Sequence, residues 1–175
     1  WSHLDFGNLP FVDKPTYQLS ILHALQEKFE TISMGLVRHP IDQWLSTERL
    51  ALYRVSQLSL EDFLHGYRLF AEQAASMRYV RFEDFTQKPS HHLKQICKHL
   101  QITFDSGFQD RWADYRKITG DVQETRACRE IRVLPRRPVS EELLQRFQDH
   151  DDYQASLKLL GYTHLPREPK GTAKR

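Results

Sequence analysis

The first residues able to do chemistry lie in the passage LVRHPIDQWLS at positions 36–46. An apolar run ends there in Arg38 and turns at once, through His39 and Pro40, into a helical pattern. Open α/β folds bind ligands at the carboxyl ends of parallel strands, so this order of residues presents a guanidinium where an anion sits. The arginine fork offers a phosphate two charge-assisted hydrogen bonds, each worth about 1.5–3 kcal/mol, and a helix start adds N–H donors. Ser46, two helical turns further on, supplies a hydroxyl. The plainer alternative pairs Arg38 with Asp42 in a salt bridge and leaves Ser46 an ordinary helix residue.

A second cationic passage, ADYRKITGD at 113–121, sets Arg116 and Lys117 beside a turn at Gly120 and Asp121. Such a turn can fold over an anion as a flap, or it can be a solvated basic loop. A third passage places His3 two residues before Asp5. An imidazole with an ordinary pKa of about 6.5 suits a general base acting on a hydroxyl acceptor, although a structural or surface role is the alternative for any one histidine among nine. The run FEDF at 82–85 follows an apolar segment, where Phe82 can touch a base ring or pack in the core. Its acids can cap a helix or neutralise nearby arginines. His91, His92, Cys97 and His99 match no metal-ligand spacing, so no metal is assigned.

These residues need elements to position them. Residues Trp1–Thr16 read as loop. Leu19, Leu22, Leu25 and Phe29 predict an amphipathic helix over Thr16–Lys28, and the apolar run Thr31–Val37 predicts a buried parallel strand. Pro40 fits the first turn of a helix running from about Ile41 into the low fifties. Ser59 and Asp62 form a capping signal, and Leu60, Phe63, Leu64, Tyr67, Ala71 and Ala74 then share one helical face. Met77–Phe82 reads as a second strand, followed by a helix from near Pro89 with Leu93, Ile96, Cys97 and Leu100 on its apolar stripe. Trp112–Pro138 is rich in Lys and Arg and lacks periodicity. Closing helices are expected from Ser140 and over Asp151–Leu160, the latter stopped by Gly161. Strand, helix, helix, strand, helix is an α/β order with parallel pairing.

A length of 175 residues fits one domain. The apolar fraction of 39% contains no run near the ~18 residues of a membrane span. A net charge of +2 advertises neither a nucleic-acid nor a membrane surface, so anion binding must come from local clusters. The two cysteines, Cys97 and Cys128, form no paired spacing and are expected as reduced thiols in a cytoplasmic setting. The sequence starts at Trp1 with neither an initiator Met nor a basic-then-apolar leader, so an upstream portion is expected to be missing.

Taken together, LVRHPIDQWLS, the strand-then-FEDF passage with its KPSHHLKQICKHL helix, and YRKITGD resemble the sulfotransferase family in order and spacing, over about Thr31–Gly161. The resemblance implies a three-layer α/β fold with a parallel sheet of the P-loop nucleotide-binding type, incomplete at its N-terminus. One such domain is expected over 1–162, and the residues of 163–175 read as a polar basic tail. The reaction implied is transfer of a sulfuryl group from 3′-phosphoadenosine 5′-phosphosulfate to a hydroxyl or amine of a small-molecule or glycan acceptor, without a metal.

Arg38 and Ser46 stand where the family binds the donor's 3′-phosphate. Arg116 and Lys117 match its late basic loop, with Ile118 in place of the usual Gly, and Phe82 replaces a Tyr commonly found near adenine. His3 takes the order of the family's catalytic base. No glycine-rich loop with Lys or Arg and Ser or Thr occurs in the sequence, so this stretch alone is not expected to transfer sulfate. Two rivals remain: a non-catalytic nucleotide-binding or interaction module of this fold, and a small-molecule kinase of related fold.

Overall fold

The computed structural model describes residue 6 and residues 15–48, 58–112, 131–133 and 135–164. In chain order the elements are α1 (Ser20–Gln26), β1 (Met34–Val37), α2 (Pro40–Thr47), α3 (Leu60–Ala75), β2 (Arg78–Arg81), α4 (Phe82–Gln87), α5 (Pro89–Leu100), α6 (Phe108–Arg111), α7 (Glu141–Gln148) and α8 (Asp151–Leu160). The chain is α/β: the described residues form eight helices and one two-stranded sheet. β1 and β2 run parallel, with Met34 opposite Arg78 and Val37 opposite Arg81. A tight turn cannot join parallel strands, and α2 and α3 lie in the crossover between them.

α3 organises the core. Ser59 caps it by accepting the Asp62 N–H at 3.0 Å and returns its own hydroxyl to the Asp62 carboxylate at 2.7 Å. The expected face is buried throughout: Leu60, Phe63, Leu64, Tyr67, Ala71 and Ala74 pack with Val37, Ile41 and Trp44 on one side. Phe147 of α7 and Tyr153, Leu157 and Leu160 of α8 complete the cluster, so α3 packs on the sheet and most extensively on α8. Each large apolar side chain buried in this way contributes roughly 1.5–3 kcal/mol. Gly161 ends α8 in the left-handed region at φ 67°, where a side chain is strained.

Several boundaries differ from the sequence expectation. α1 is shorter than Thr16–Lys28 because Tyr17 sits at φ 55°, outside helical space, and none of its residues is buried. The expected strand over Thr31–Val37 pairs for only four residues, since β2 offers no longer partner. Gly35 and Val37 face α3 and are buried, whereas Leu36 between them is 58% exposed. The strand is therefore covered on one face only. Phe82, expected to close β2, instead opens α4, and the short helix α6 was not anticipated.

Gly66 illustrates how closely the chain packs on α3. A Cβ built there falls 2.0 Å from the backbone oxygen of Phe6, whose ring is fully buried and meets Phe70 edge-on at 5.8 Å. Glycine inside a helix ordinarily costs about 1 kcal/mol relative to alanine, so Gly66→Ala on an open helix would stabilise. Here a backbone atom cannot rotate away. Gly66→Ala is expected to destabilise by about 1–3 kcal/mol in urea titration, the range for overpacking; a stabilised variant would show that the Phe6 segment moves aside freely.

Candidate functional site

The parallel register brings the ends of β1 and β2 to one edge, and the first residues beyond them meet there. The guanidinium of Arg38 lies 5.2 Å from the centroid of the Phe82 ring. Such cation–π contacts contribute about 0.5–1 kcal/mol at exposed positions, enough to bias a rotamer without consuming the charge. Phe82 remains 37% exposed beneath it. Among the described residues no carboxylate forms an ion pair with Arg38.

The expected alternative of an Arg38–Asp42 salt bridge is corrected by this geometry. Asp42 instead accepts a two-pronged contact from Arg136, Nε to Oδ1 at 2.9 Å and Nη2 to Oδ2 at 2.6 Å. Burial pushes the Asp42 carboxyl upward, but the Arg136 hydrogen bonds and charge outweigh it and hold the group below the usual carboxylate range. The next residue, Arg137, donates to the carbonyl of Leu45 at 2.6 Å. The far end of the basic segment is thus fastened to α2. Asp42 and Ser46 are four residues apart and share one flank of that helix.

Ser46 itself is half-buried on the last turn of α2, while Arg38 precedes the first. From Pro40 to Ser46 the helix rises roughly 9 Å. The structure places Ser46 near the far end of the helix that Arg38 precedes, without a hydrogen bond between them. The helix start also offers an anion less than expected: Pro40 has no N–H, and the N–H of Ile41 is taken by His39 Nδ1 at 3.3 Å. His3, Arg116 and Lys117 lie outside the described residues, as does Cys128; Cys97 is a buried free thiol.

Sequence reasoning missed the polar network behind Arg38. His39 is fully buried, donates from Nε2 to the carbonyl of Thr163 at 3.0 Å and meets the Tyr153 and Tyr162 rings edge-on. With Nδ1 accepting and Nε2 donating, the ring is the neutral Nε2–H tautomer. Glu83 accepts the His39 N–H at 2.8 Å on one oxygen and the Tyr162 hydroxyl at 2.7 Å on the other. Burial, reinforced by the Glu83 charge, raises the Tyr67 and Tyr162 hydroxyls far above the ordinary tyrosine value, so both stay protonated donors. Arg81 is spoken for by Asp84 at 3.0 Å and by the carbonyl of Gly161 at 2.7 Å. The adjacent acids of FEDF were the one visible signal. Asp84 meets an arginine as anticipated, whereas Glu83 binds a backbone N–H and a hydroxyl.

Among the described residues, no helix is long and apolar enough to cross a membrane, and no cluster of three or more His, Cys, Asp or Glu side chains is suited to a metal ion. Comparison with protein-family models, with curated proteins and with solved structures finds no match.

Burial lowers the His39 pKa from 6.5 to about 4, and the nearby Arg136 adds to that shift against the opposing pull of the Thr163 bond. The folded value lies below the unfolded one, so the unfolded chain binds the extra proton between pH 6.5 and 4. Stability is therefore complete above that window and falls as the pH drops through it, by roughly 3 kcal/mol in all. Urea midpoints for the natural chain should decline from pH 7 to pH 4.5, and His39→Asn, which keeps a capping acceptor for Ile41, should flatten part of that decline. An unchanged slope in the variant would remove His39 as its cause.

Proposed function

We propose that this chain binds a nucleotide carrying a 3′-phosphate and belongs to a sulfotransferase acting with 3′-phosphoadenosine 5′-phosphosulfate. The observation that supports this reading best is the Arg38 guanidinium, which has no ion-pair partner among the described residues and rests on the Phe82 ring at the carboxyl edge of a parallel strand pair. The carboxyl edge of such a sheet is where α/β folds take ligands. A cation beside an exposed aromatic suits a ligand made of a phosphate and a base ring. The bidentate fork of Arg38 grips the phosphate, and Phe82 gives the base an apolar face.

On this reading the two described strands are part of a larger three-layer parallel sheet of the P-loop type, and the open face of Leu36 is where further chain packs. Ser46 adds a hydroxyl to the phosphate site, and Arg116 and Lys117 close over it. The anchoring of Arg136 and Arg137 on α2 favours this closure, because it brings the end of the basic segment to the helix that follows Arg38. In the reaction, an acceptor hydroxyl or amine attacks sulfur and the bond from sulfur to the bridging oxygen breaks. Adenosine 3′,5′-bisphosphate leaves, and the acceptor's proton passes to a base, for which His3 is the candidate. Positive side chains stabilise the charge that grows on the departing oxygen. The compartment proposed is the cytoplasm, where Cys97 remains a thiol.

Calorimetry with the full chain tests the donor site directly. Adenosine 3′,5′-bisphosphate should bind at least about tenfold more tightly than adenosine 5′-phosphate, the worth of one charge-assisted contact, and Arg38→Ala should abolish the difference. Equal affinities in the natural chain would sink the reading.

A further inference from the structure

The peptide unit that joins Arg38 to His39 is gripped at both of its polar ends. Its carbonyl oxygen accepts the hydroxyl of Tyr67, which projects from the middle of α3, and its N–H donates to Glu83 Oε1 at 2.8 Å. The grip draws on three distant parts of the chain, since the second oxygen of Glu83 is itself fixed by the Tyr162 hydroxyl just beyond α8. Tyr67 is 2% exposed, so water does not offer its hydroxyl a substitute partner.

A peptide group is planar, and binding both its oxygen and its N–H fixes the rotation of that plane. The rotation sets the backbone angles on either side of the bond, hence the direction in which the Arg38 side chain leaves its Cα. Glu83 also follows Phe82 directly, so the turn that supplies the carboxylate supplies the ring beneath the guanidinium. Both halves of the Arg38 environment therefore depend on one short stretch of chain.

We infer that Tyr67 and Glu83 are positioning residues for Arg38: by clamping the Arg38–His39 peptide they hold the guanidinium in place for a 3′-phosphate before the nucleotide arrives, and so set the preference for nucleotides that carry one. Holding a side chain in its bound geometry in advance removes part of the ordering cost of binding. Neither residue touches the ligand. The inference rests on the proposal that Arg38 binds the 3′-phosphate.

The test compares adenosine 3′,5′-bisphosphate with adenosine 5′-phosphate on the full chain, for the natural protein, Tyr67→Phe, Glu83→Gln, Arg38→Ala and the double variant Arg38→Ala/Tyr67→Phe, with folding checked by circular dichroism. Tyr67→Phe keeps the buried ring and removes only the hydroxyl. It should weaken the bisphosphate by about fivefold, the effect of one lost hydrogen bond, and leave the monophosphate unchanged. Glu83→Gln should act in the same direction, and Tyr67→Phe should have no further effect once Arg38 is alanine.

If Arg38→Ala abolishes the 3′-phosphate preference while Tyr67→Phe and Glu83→Gln keep it whole, the positioning role is wrong and the nucleotide reading stands. Equal weakening of both nucleotides would mark general damage and overturn the role as well. A natural chain without any preference removes both claims together. Should Tyr67→Phe fail to fold, the Glu83→Gln ratio decides alone.

Discussion

Parallel pairing of β1 with β2 is the constraint from which the rest of the structure follows. Two strands that point the same way need a long connection, and that connection brings α3, the helix on which most of the core is assembled. Parallel strands also end at the same edge. Because Val37 stands opposite Arg81, the residues immediately beyond them, Arg38 and Phe82, become neighbours although 44 positions separate them in the chain. The core and the candidate site are two consequences of one hydrogen-bonded ladder.

Burying polar groups behind such an edge is costly unless each finds a partner. The network here meets that demand with few members. His39 uses both ring nitrogens, Glu83 uses both oxygens, and the Tyr67 and Tyr162 hydroxyls serve as donors. Its partners come from the strand ends, from the centre of α3 and from the segment after α8. In that last segment Thr163 accepts from His39, and His164 bonds to the Tyr153 hydroxyl at 3.0 Å.

The pairing of Asp42 with Arg136 alters the electrostatics of the edge in a way that matters for anions. A carboxylate one turn from Arg38 would ordinarily compete with a phosphate for its charge. Arg136 engages both oxygens of that carboxylate in a half-buried setting, where removing one member of a pair costs far more than on an open surface. Arg38 is left with an aromatic neighbour, and the basic segment gains a fixed point on α2.

The α/β class, the parallel strands with helices in their crossover, the buried face of α3, the Ser59 cap, the helix start at Ser140 and the stop at Gly161 were legible in the sequence, whereas the short helices α4 and α6 were not. Each depends on residues within a few positions of one another, where helical period, capping chemistry and backbone strain act. Arg38 at the end of a strand was legible for the same reason. Which charges meet was not, because 25 lysines and arginines face 23 acids and local pattern cannot choose among them. Asp42 found an arginine 94 residues away rather than the one four positions before it, and Glu83 reached His39 and Tyr162 across 44 and 79 residues. Likewise, an apolar run such as 31–37 shows that a strand wants burial without showing that only one face receives it. Those outcomes belong to the tertiary structure, since only the packing of α2, α3, β2 and α8 decides which side chains come within hydrogen-bonding distance.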